Sequence, residues 1–382
     1  MDVLKIRLLQ DIFFSGRFNP INIIPYNPMK NSIIILVAMI ALTAASCGGG
    51  GSTTGKQKKI TLSAAGATFP QPFYNLAFKK YNEAGGPLIS YGGIGSGGGI
   101  KSLRDQIVDF AATDAYLSDD ELAEMPGEVV HIPTCIGAVV IAYNIPGVTE
   151  LKLTPDLLEG IFLGNIKMWN DPKILADNPG LAIPDMEITV VYRSDGSGTT
   201  YIFSDYMSKV SSLWNEQLGT GKALNWPSGI GAKGNPGVAG TIKQSEGSIG
   251  YLGFEYAFAQ QIPMARIMNS SGFFIEPTLD SFTAAAATEI PADTRVMITN
   301  SPNPSAYPIT SFTWIIMYRE LAYGRHSADA AEAAVNTVKW LTGEEAQAIA
   351  TSVHYAALPQ NASLQAAELL KGISYEGKPV LK

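Results

Sequence analysis

Short apolar runs alternate with amphipathic segments from residue 60 onwards, and a turn of small residues ends each run. The run 60–65 predicts a β-strand. The segment after Pro70 predicts an α-helix, because its apolar residues recur every three to four positions. Proline is favoured in the first helical turn, so this helix should begin at about Pro70. Thr68 and Phe69 then lie at a helix N-terminus, where backbone N–H groups have no partner within the helix.

The same pattern of strand, turn and helix occurs twice more. The second unit is predicted at 88–91, 92–99 and 100–107, and the third at 188–193, 194–199 and 200–210. Strands that alternate with helices in this way indicate an α/β protein. Glycines in the turns let a backbone approach a ligand closely, and a helix N-terminus favours negative charge. The three turns are therefore candidate anion-binding loops.

A guanidinium and a carboxylate accompany these loops. Arg193 ends the third strand and offers a fork of donors suited to a tetrahedral oxyanion, while Asp195 is placed to orient it. The buried-looking strand 108–114 ends in Asp114. A carboxylate beside an anion repels sulfate, yet it accepts the proton that hydrogen phosphate still carries. Asp114 therefore predicts selectivity for a protonated oxyanion.

Each of these features also has a simpler explanation. Residues 93–98 fit the G-x-G-x-x-G dinucleotide fingerprint, although the Gly-Lys pair of a P-loop does not follow. Ser197 lacks the G-x-S-x-G context of a nucleophile, and a helix N-cap role is the alternative. Asp114 is placed to cap a short helix that is predicted just after it. Arg193 and Asp195 could form an ordinary exposed ion pair that contributes little.

The N-terminal region predicts export. In residues 29–46 a basic start, a short apolar core and small residues precede Cys47, as in a secretory signal peptide. The core is shorter than the about 20 residues that a membrane span needs. The sequence around Cys47 resembles a bacterial lipobox, which predicts a lipidated Cys47 followed by a flexible tether over 47–58. We interpret 1–28 as a mis-assigned start before Met29, the alternative being a genuine leader extension.

The composition of the chain argues against several classes of partner. The 382 residues carry 27 Lys and Arg against 34 Asp and Glu, a net charge of −7, which argues against nucleic acid as a partner. The three histidines have no Cys or carboxylate neighbours at ligand spacing, so no metal site and no cofactor are predicted. Beyond Cys47 only Cys135 remains, so the exported chain is predicted to have no intrachain disulfide.

Four motifs resemble those of the periplasmic phosphate-binding proteins of phosphate-specific ABC transport systems. They span residues 66–70, 93–98, 109–114 and 193–199. The resemblance implies phosphate-binding roles for Thr68, Phe69, Ser96, Asp114, Arg193, Ser197, Gly198 and Thr199, with Asp195 in support. Two neighbours depart from the family pattern, since Gly97 and Thr113 each replace a serine. Because glycine has no hydroxyl, the replacement of serine by Gly97 is expected to remove one secondary hydrogen bond.

The fold that the resemblance implies is a two-lobed periplasmic binding protein of type II. Each lobe is a mixed β-sheet flanked by helices, and two strands form the hinge. Lobe one is predicted over 59–133 and 306–382 and lobe two over 134–305, with crossing strands at 134–144 and 307–318 and a closing helix at 328–341.

The function that the resemblance implies is high-affinity phosphate binding and delivery to inner-membrane ABC permease subunits. The protein is expected as a monomer on the periplasmic side of the envelope, held to a membrane by lipidated Cys47, and not as an enzyme. The alternatives are a binder of sulfate or molybdate and an exported phosphatase or nucleotide-dependent enzyme. An enzyme is expected to turn over a phosphate ester or to need a metal.

Overall fold

A computed structural model describes residues 60–324 and 326–381. The start, signal peptide, lipidated Cys47 and tether predicted within residues 1–58 lie outside the described residues. In the described part of the chain, no helix combines the length and the apolar character needed to cross a membrane.

The helices and strands follow one another in three stretches. The first contains β1 (Thr61–Gly66), α1 (Gln71–Glu83), β2 (Leu88–Gly93), α2 (Ser96–Arg104), β3 (Phe110–Thr113), α3 (Asp119–Ala123) and β4 (Val129–Tyr143). The second contains β5 (Lys152–Leu153), α4 (Pro155–Phe162), α5 (Pro172–Asp177), β6 (Thr189–Arg193), α6 (Gly198–Val210), α7 (Ser212–Gln217), β7 (Ile230–Ala232), α8 (Gly234–Gln244), β8 (Ser248–Gly253), α9 (Phe254–Ala259), β9 (Arg266–Met268), β10 (Phe274–Ile275) and α10 (Leu279–Ala285). The third contains β11 (Thr310–Tyr318), α11 (Ala328–Leu341), α12 (Glu344–Ser352), α13 (Gln360–Lys371), β12 (Ser374–Tyr375) and β13 (Lys378–Pro379).

Eight of the described strands form one mixed sheet in the order β2-β1-β3-β11-β4-β8-β6-β7. β1 runs parallel to β2 and β3, and β6 runs parallel to β7 and β8. β4 joins the two halves, because its residues up to Ala138 pair with β11 and its last five residues pair with β8. Helices flank the strands, so the described chain has the predicted α/β class, with one mixed sheet in two halves.

The central strand is longer than predicted. β4 begins at Val129 rather than at residue 134, and all its residues are buried. Pro133 does not end the strand, because the ladder with β11 shifts register opposite it, between Thr313 and Trp314. Such an irregularity accommodates the N–H that proline lacks. The return strand β11 begins at Thr310 within the predicted 307–318 and is also fully buried.

Helix α2 differs from its predicted range at both ends, whereas α11 matches its predicted range. α2 begins at Ser96 and ends at Arg104, so the glycines assigned to the preceding turn lie inside the first helical turn. The tight packing explains this, because a Cβ at Gly99 would lie 2.5 Å from the Cα of Gly66 in β1. α11 has the predicted bounds, since Ser327 caps its N-terminus and its apolar residues form one buried face.

Candidate anion-binding site

Residues that follow the carboxyl ends of parallel strands meet between the two lobes. The first lobe supplies Thr68 and Phe69 after β1, Ser96 after β2 and Asp114 after β3, and the second supplies Arg193 at the end of β6 with Ser197, Gly198 and Thr199 at the start of α6. All of them are buried. The structure therefore places all the predicted phosphate-site residues in one region of the described chain, while the predicted lipidation residue, Cys47, lies outside the described part. This is the place at which open α/β sheets bind ligands.

The two walls of the site touch each other directly. The hydroxyl of Ser96 accepts a hydrogen bond from the N–H of Gly198 at 3.1 Å. The N–H of Gly97 donates to the carbonyl oxygen of Gly196 at 2.9 Å. The cleft is thus closed in this structure, and glycines make the approach possible: a Cβ at Gly198 would lie 2.5 Å from the Ser96 Oγ.

Arg193 is held by a bidentate ion pair. Its Nε lies 2.8 Å from Oδ1 of Asp195 and its Nη2 lies 2.6 Å from Oδ2, while Nη1 lies 3.2 Å from the hydroxyl of Thr199. The side chains of Arg193 and Asp195 are 1% and 13% exposed, so the interpretation as an exposed pair is wrong. Burial favours a higher pKa for Asp195, but Arg193 and the N–H of Gly234 hold that pKa below its ordinary value.

Asp114 is a buried carboxyl whose environment raises its pKa. Burial raises the pKa of Asp114 to about 7, against the opposing effects of the Thr313 hydroxyl, the Arg193 charge and the Ser96 hydroxyl. The Thr313 hydroxyl donates to Oδ1 at 2.9 Å. The capping explanation is wrong, because Ser118 caps α3 through its own side chain. The carboxyl of Asp114 therefore exchanges its proton near neutral pH, and it lies among the residues of the site.

Ser197 is the N-cap of α6, as its simpler explanation predicted. Its hydroxyl oxygen accepts the N–H of Thr200 at 3.0 Å. A serine hydroxyl also carries a hydrogen, which this bond leaves free to donate. The capping role and an anion-binding role are therefore compatible, and the first N–H groups of α6, at Gly198 and Thr199, need no partner inside the helix.

Two tyrosines hold the main chain of the turn before α1. The hydroxyl of Tyr256 donates to the carbonyl of Thr68 at 2.5 Å, and that of Tyr355 donates to the carbonyl of Phe69 at 2.5 Å. With both carbonyls bonded, the peptide planes of the turn are fixed. The Thr68 carbonyl shares its peptide plane with the N–H of Phe69, so the orientation of that N–H is set before a ligand arrives.

Asn235 belongs to the site, and the sequence interpretation did not single it out. It is fully buried at the start of α8. Its N–H and Nδ2 donate to the hydroxyl of Thr68 at 3.1 and 2.9 Å, Nδ2 lies 3.2 Å from the Thr199 hydroxyl, and Oδ1 accepts the N–H of Gly253 at 3.0 Å. The available signal was a fourth turn of the same kind, because Gly234 and Asn235 follow β7 and open a helix.

The two departures from the family pattern have structural correlates. Gly97 lies where a Cβ would come within 3.2 Å of the Cα of Gly196, so its lack of a side chain lets the two loops meet. The hydroxyl of Thr113 bonds locally, to the carbonyl of Ala115 at 2.5 Å and to its N–H at 3.2 Å. It is engaged away from the neighbouring carboxyl of Asp114.

The assembled groups are suited to hold an anion. Donors come from main-chain amides, hydroxyls and one guanidinium, and the carboxyl of Asp114 stands beside them without an ion-pair partner of its own, whereas that of Asp195 is paired with Arg193. Within residues 60–324 and 326–381, no group of three or more His, Cys, Asp or Glu side chains is placed to bind a metal ion. The donor set needs no metal, since hydrogen bonds to buried helix N-termini and guanidinium groups bind oxyanions by themselves.

The chain is similar to known proteins both in sequence and in fold. The model of the PBP superfamily domain matches residues 51–345. The chain is 39% identical to the phosphate-binding protein PstS of Xylella fastidiosa (strain 9a5c), covering 80% of this chain and 83% of that protein. It is 37% identical to that of Pasteurella multocida (strain Pm70), over 78% and 87%. Among solved structures, a high affinity periplasmic phosphate-binding protein bound with phosphate has a TM-score of 0.63 at 21% identity, over 81% and 93%.

Proposed function

This chain belongs to the phosphate-binding protein family of the PBP superfamily, and we propose that it captures inorganic phosphate outside the cytoplasm and delivers it to an ABC transporter permease. The observation that carries the proposal is the convergence of Arg193, Asp114 and two helix N-termini on one closed cleft. A tetrahedral anion with one remaining proton is the ligand that satisfies all of these groups.

The proposed contacts come from both lobes. Phosphate accepts hydrogen bonds from the amides of Thr68, Phe69 and Thr199, the hydroxyls of Thr68, Ser96 and Ser197 and the guanidinium of Arg193. The amide of Gly198 donates to Ser96 in this structure and is proposed to turn to phosphate when the ligand is bound. Asp195 orients Arg193. Hydrogen bonds to charged groups contribute about 1.5–3 kcal/mol each, so several of them offset the cost of removing water from the ion. Phosphate first docks on one lobe, and closure of the other lobe then completes the set.

Asp114 supplies the proposed selectivity. An ionised Asp114 accepts the hydrogen of hydrogen phosphate or dihydrogen phosphate. Sulfate has no hydrogen at neutral pH and would face the carboxylate without a bond. The pKa of Asp114 is raised to about 7, so part of the protein carries a protonated Asp114 near neutral pH. That protonated carboxyl can donate to hydrogen phosphate, which carries more charge than dihydrogen phosphate.

A thermal-shift panel on protein that starts after Cys47 tests the proposed function. Phosphate at about 100 times its dissociation constant should stabilise the folded state by roughly 2.7 kcal/mol, because only the folded state binds it. Arsenate, which carries the same protons, should stabilise in the same way. Sulfate and molybdate should leave the melting temperature unchanged. Equal stabilisation by sulfate, or none by phosphate, would contradict the proposal.

Two alternatives are distinguished by simple measurements. A binder of another oxyanion would show its ligand in the same panel, and the position of Asp114 disfavours it. An exported phosphatase or nucleotide-dependent enzyme would hydrolyse p-nitrophenyl phosphate or show a metal requirement. The relatives named above are binding proteins, and we propose that this chain binds without catalysis and without a cofactor.

Gly198→Ala is expected to weaken phosphate binding by about tenfold or more. The added methyl group would meet the Ser96 Oγ at 2.5 Å and the Asp114 Cβ at 2.6 Å, and overpacking of this kind costs about 1–3 kcal/mol. Isothermal titration calorimetry measures the loss. The matched control is Gly240→Ala in α8, where a Cβ meets no heavy atom within 4 Å, so affinity should be unchanged. Wild-type affinity in the Gly198 variant would show that the cleft closes differently.

The remaining parts of the proposal concern location and partners. We propose that the protein works on the periplasmic side of the envelope as a monomer, anchored through lipidated Cys47, and that ABC permease subunits receive its phosphate. Nucleic acid is not among its proposed partners. Metabolic labelling with a fatty acid, compared between wild type and Cys47→Ser, tests the anchor, since only the wild type should be labelled.

A further inference from the structure

A partly shielded ion pair joins the two lobes beside the candidate site. The Nζ of Lys222, in the loop between α7 and β7, lies 2.8 and 2.7 Å from the two carboxylate oxygens of Glu121 in α3. The two side chains are 15% and 34% exposed. Most other ion pairs between described residues are far more exposed, such as Arg266 with Glu276 at 39% and 63%.

Lys222 is bonded to a residue of the site, and Glu121 lies in the helix that follows Asp114. The carbonyl of Lys222 accepts the N–H of Ser197 at 2.8 Å, so its main chain directly supports the N-cap of α6. Its ammonium lies 5.6 Å from the ring centre of Tyr201, also in α6. Glu121 belongs to the short helix that follows Asp114, and Oε2 accepts the N–H of Ser118 at 3.0 Å.

We propose that Lys222 and Glu121 form an ionic latch that slows the release of phosphate by holding α3 against the loop between α7 and β7, whose main chain supports the N-cap of α6. The inference rests on the proposed function, since the latch acts on the closed, loaded cleft. Opening must separate the two charges, because one lies on each wall. Neither side chain needs to touch phosphate, so both are positioning residues for closure and not part of the donor set.

The latch predicts a faster release when its charge is removed. In Glu121→Gln the amide oxygen can still accept the Ser118 N–H, because glutamine serves in a capping box as glutamate does. Phosphate dissociation should become about threefold to fivefold faster, the upper part of the range for exposed ion pairs, because this pair is partly shielded from water. The matched control is Asp120→Asn, on the same helix, whose carboxylate makes no ion pair with another described residue. Its release rate should equal that of the wild type.

The experiment is stopped-flow displacement of fluorescently reported phosphate from the protein that starts after Cys47. It uses the wild type, Glu121→Gln, Lys222→Gln, the double variant and Asp120→Asn. If the latch exists, the double variant releases no faster than either single variant, because both remove the same interaction. Raising the salt concentration should accelerate release from the wild type more than from Glu121→Gln.

Two outcomes would overturn the latch. One is a release rate in Glu121→Gln that equals those of the wild type and Asp120→Asn. The other is a double variant in which the two effects simply add. Failure of the proposed function is distinguishable, because the wild type would then retain no phosphate at all in the same assay. A folding defect is recognised by a lower melting temperature without ligand.

Discussion

Arg193→Ala should lower the affinity for phosphate by about 100-fold or more. The variant removes the guanidinium of the site and leaves the partly buried carboxyl of Asp195 without its ion-pair partner. Truncating one member of a buried, hydrogen-bonded charge pair costs about 2–5 kcal/mol. The contacts to Asp195 at 2.6 and 2.8 Å and to Thr199 at 3.2 Å are all lost at once. Isothermal titration calorimetry with phosphate measures the change.

A control separates this effect from a general loss of positive charge. Arg266→Ala removes an exposed guanidinium that pairs with Glu276 outside the site, so phosphate affinity should stay at the wild-type value. The double variant Arg193→Ala with Asp195→Ala should bind more tightly than Arg193→Ala alone, because the unpaired carboxylate is gone. Unchanged affinity in Arg193→Ala would remove Arg193 from the site.

Asp114→Asn should reduce the preference for phosphate over sulfate by about 100-fold or more. The carboxyl both repels sulfate and accepts the hydrogen of phosphate, whereas a carboxamide has N–H groups that donate to sulfate. Sites built around such a hydrogen bond reject the wrong ligand by about 10⁴–10⁵, so losing the bond has a large effect. Competition of sulfate against phosphate, measured by calorimetry at pH 7.5, gives the ratio.

Glu255→Gln is the matched control for that variant. Glu255 is another buried carboxyl, burial raises its pKa to about 8, and it is not among the proposed phosphate contacts. The same isosteric change there should leave the phosphate to sulfate ratio unaltered. If Asp114→Asn excludes sulfate as well as the wild type does, the account of selectivity is wrong.

The ligand-free protein should also show the effect of Asp114 in its pH dependence. When the pKa of a carboxyl is higher in the folded state than in the unfolded state, there is a pH range between the two values in which the folded state holds the proton and the unfolded state has lost it. Its favourable contribution is complete below the ordinary pKa of 3.8 and is lost as the pH rises through about 7. The free energy of unfolding of the wild type should therefore fall between about pH 4 and pH 7 more steeply than that of Asp114→Asn.

The strand and helix units that carry the site could be predicted from local patterns. α11 has its predicted bounds, and the turns that hold Thr68 and Ser197 lie at the starts of α1 and α6, as the apolar periodicity predicted. Ser96 also lies at a helix N-terminus, although as the first residue of α2 and not in the turn before it. Periodicity and capping are properties of neighbouring residues. Both are therefore visible in the sequence without any knowledge of the fold.

Element boundaries were less predictable where distant contacts decide them. α2 begins four residues early because its glycines pack against β1, and β4 continues through Pro133 because β11 shifts register opposite it. In both places the controlling neighbour is far away in sequence. No local pattern could reveal it.

The sequence by itself determined the α/β class, the turns at helix N-termini and, through family resemblance, the residue types of the site. Only the tertiary structure decided which competing explanation held for each residue. It buried Arg193 with Asp195, gave the capping of α3 to Ser118 and brought Asn235 to Thr68 from 167 residues away. Burial and long-range hydrogen bonding depend on how distant segments pack. Both pKa values and binding geometry follow from that packing.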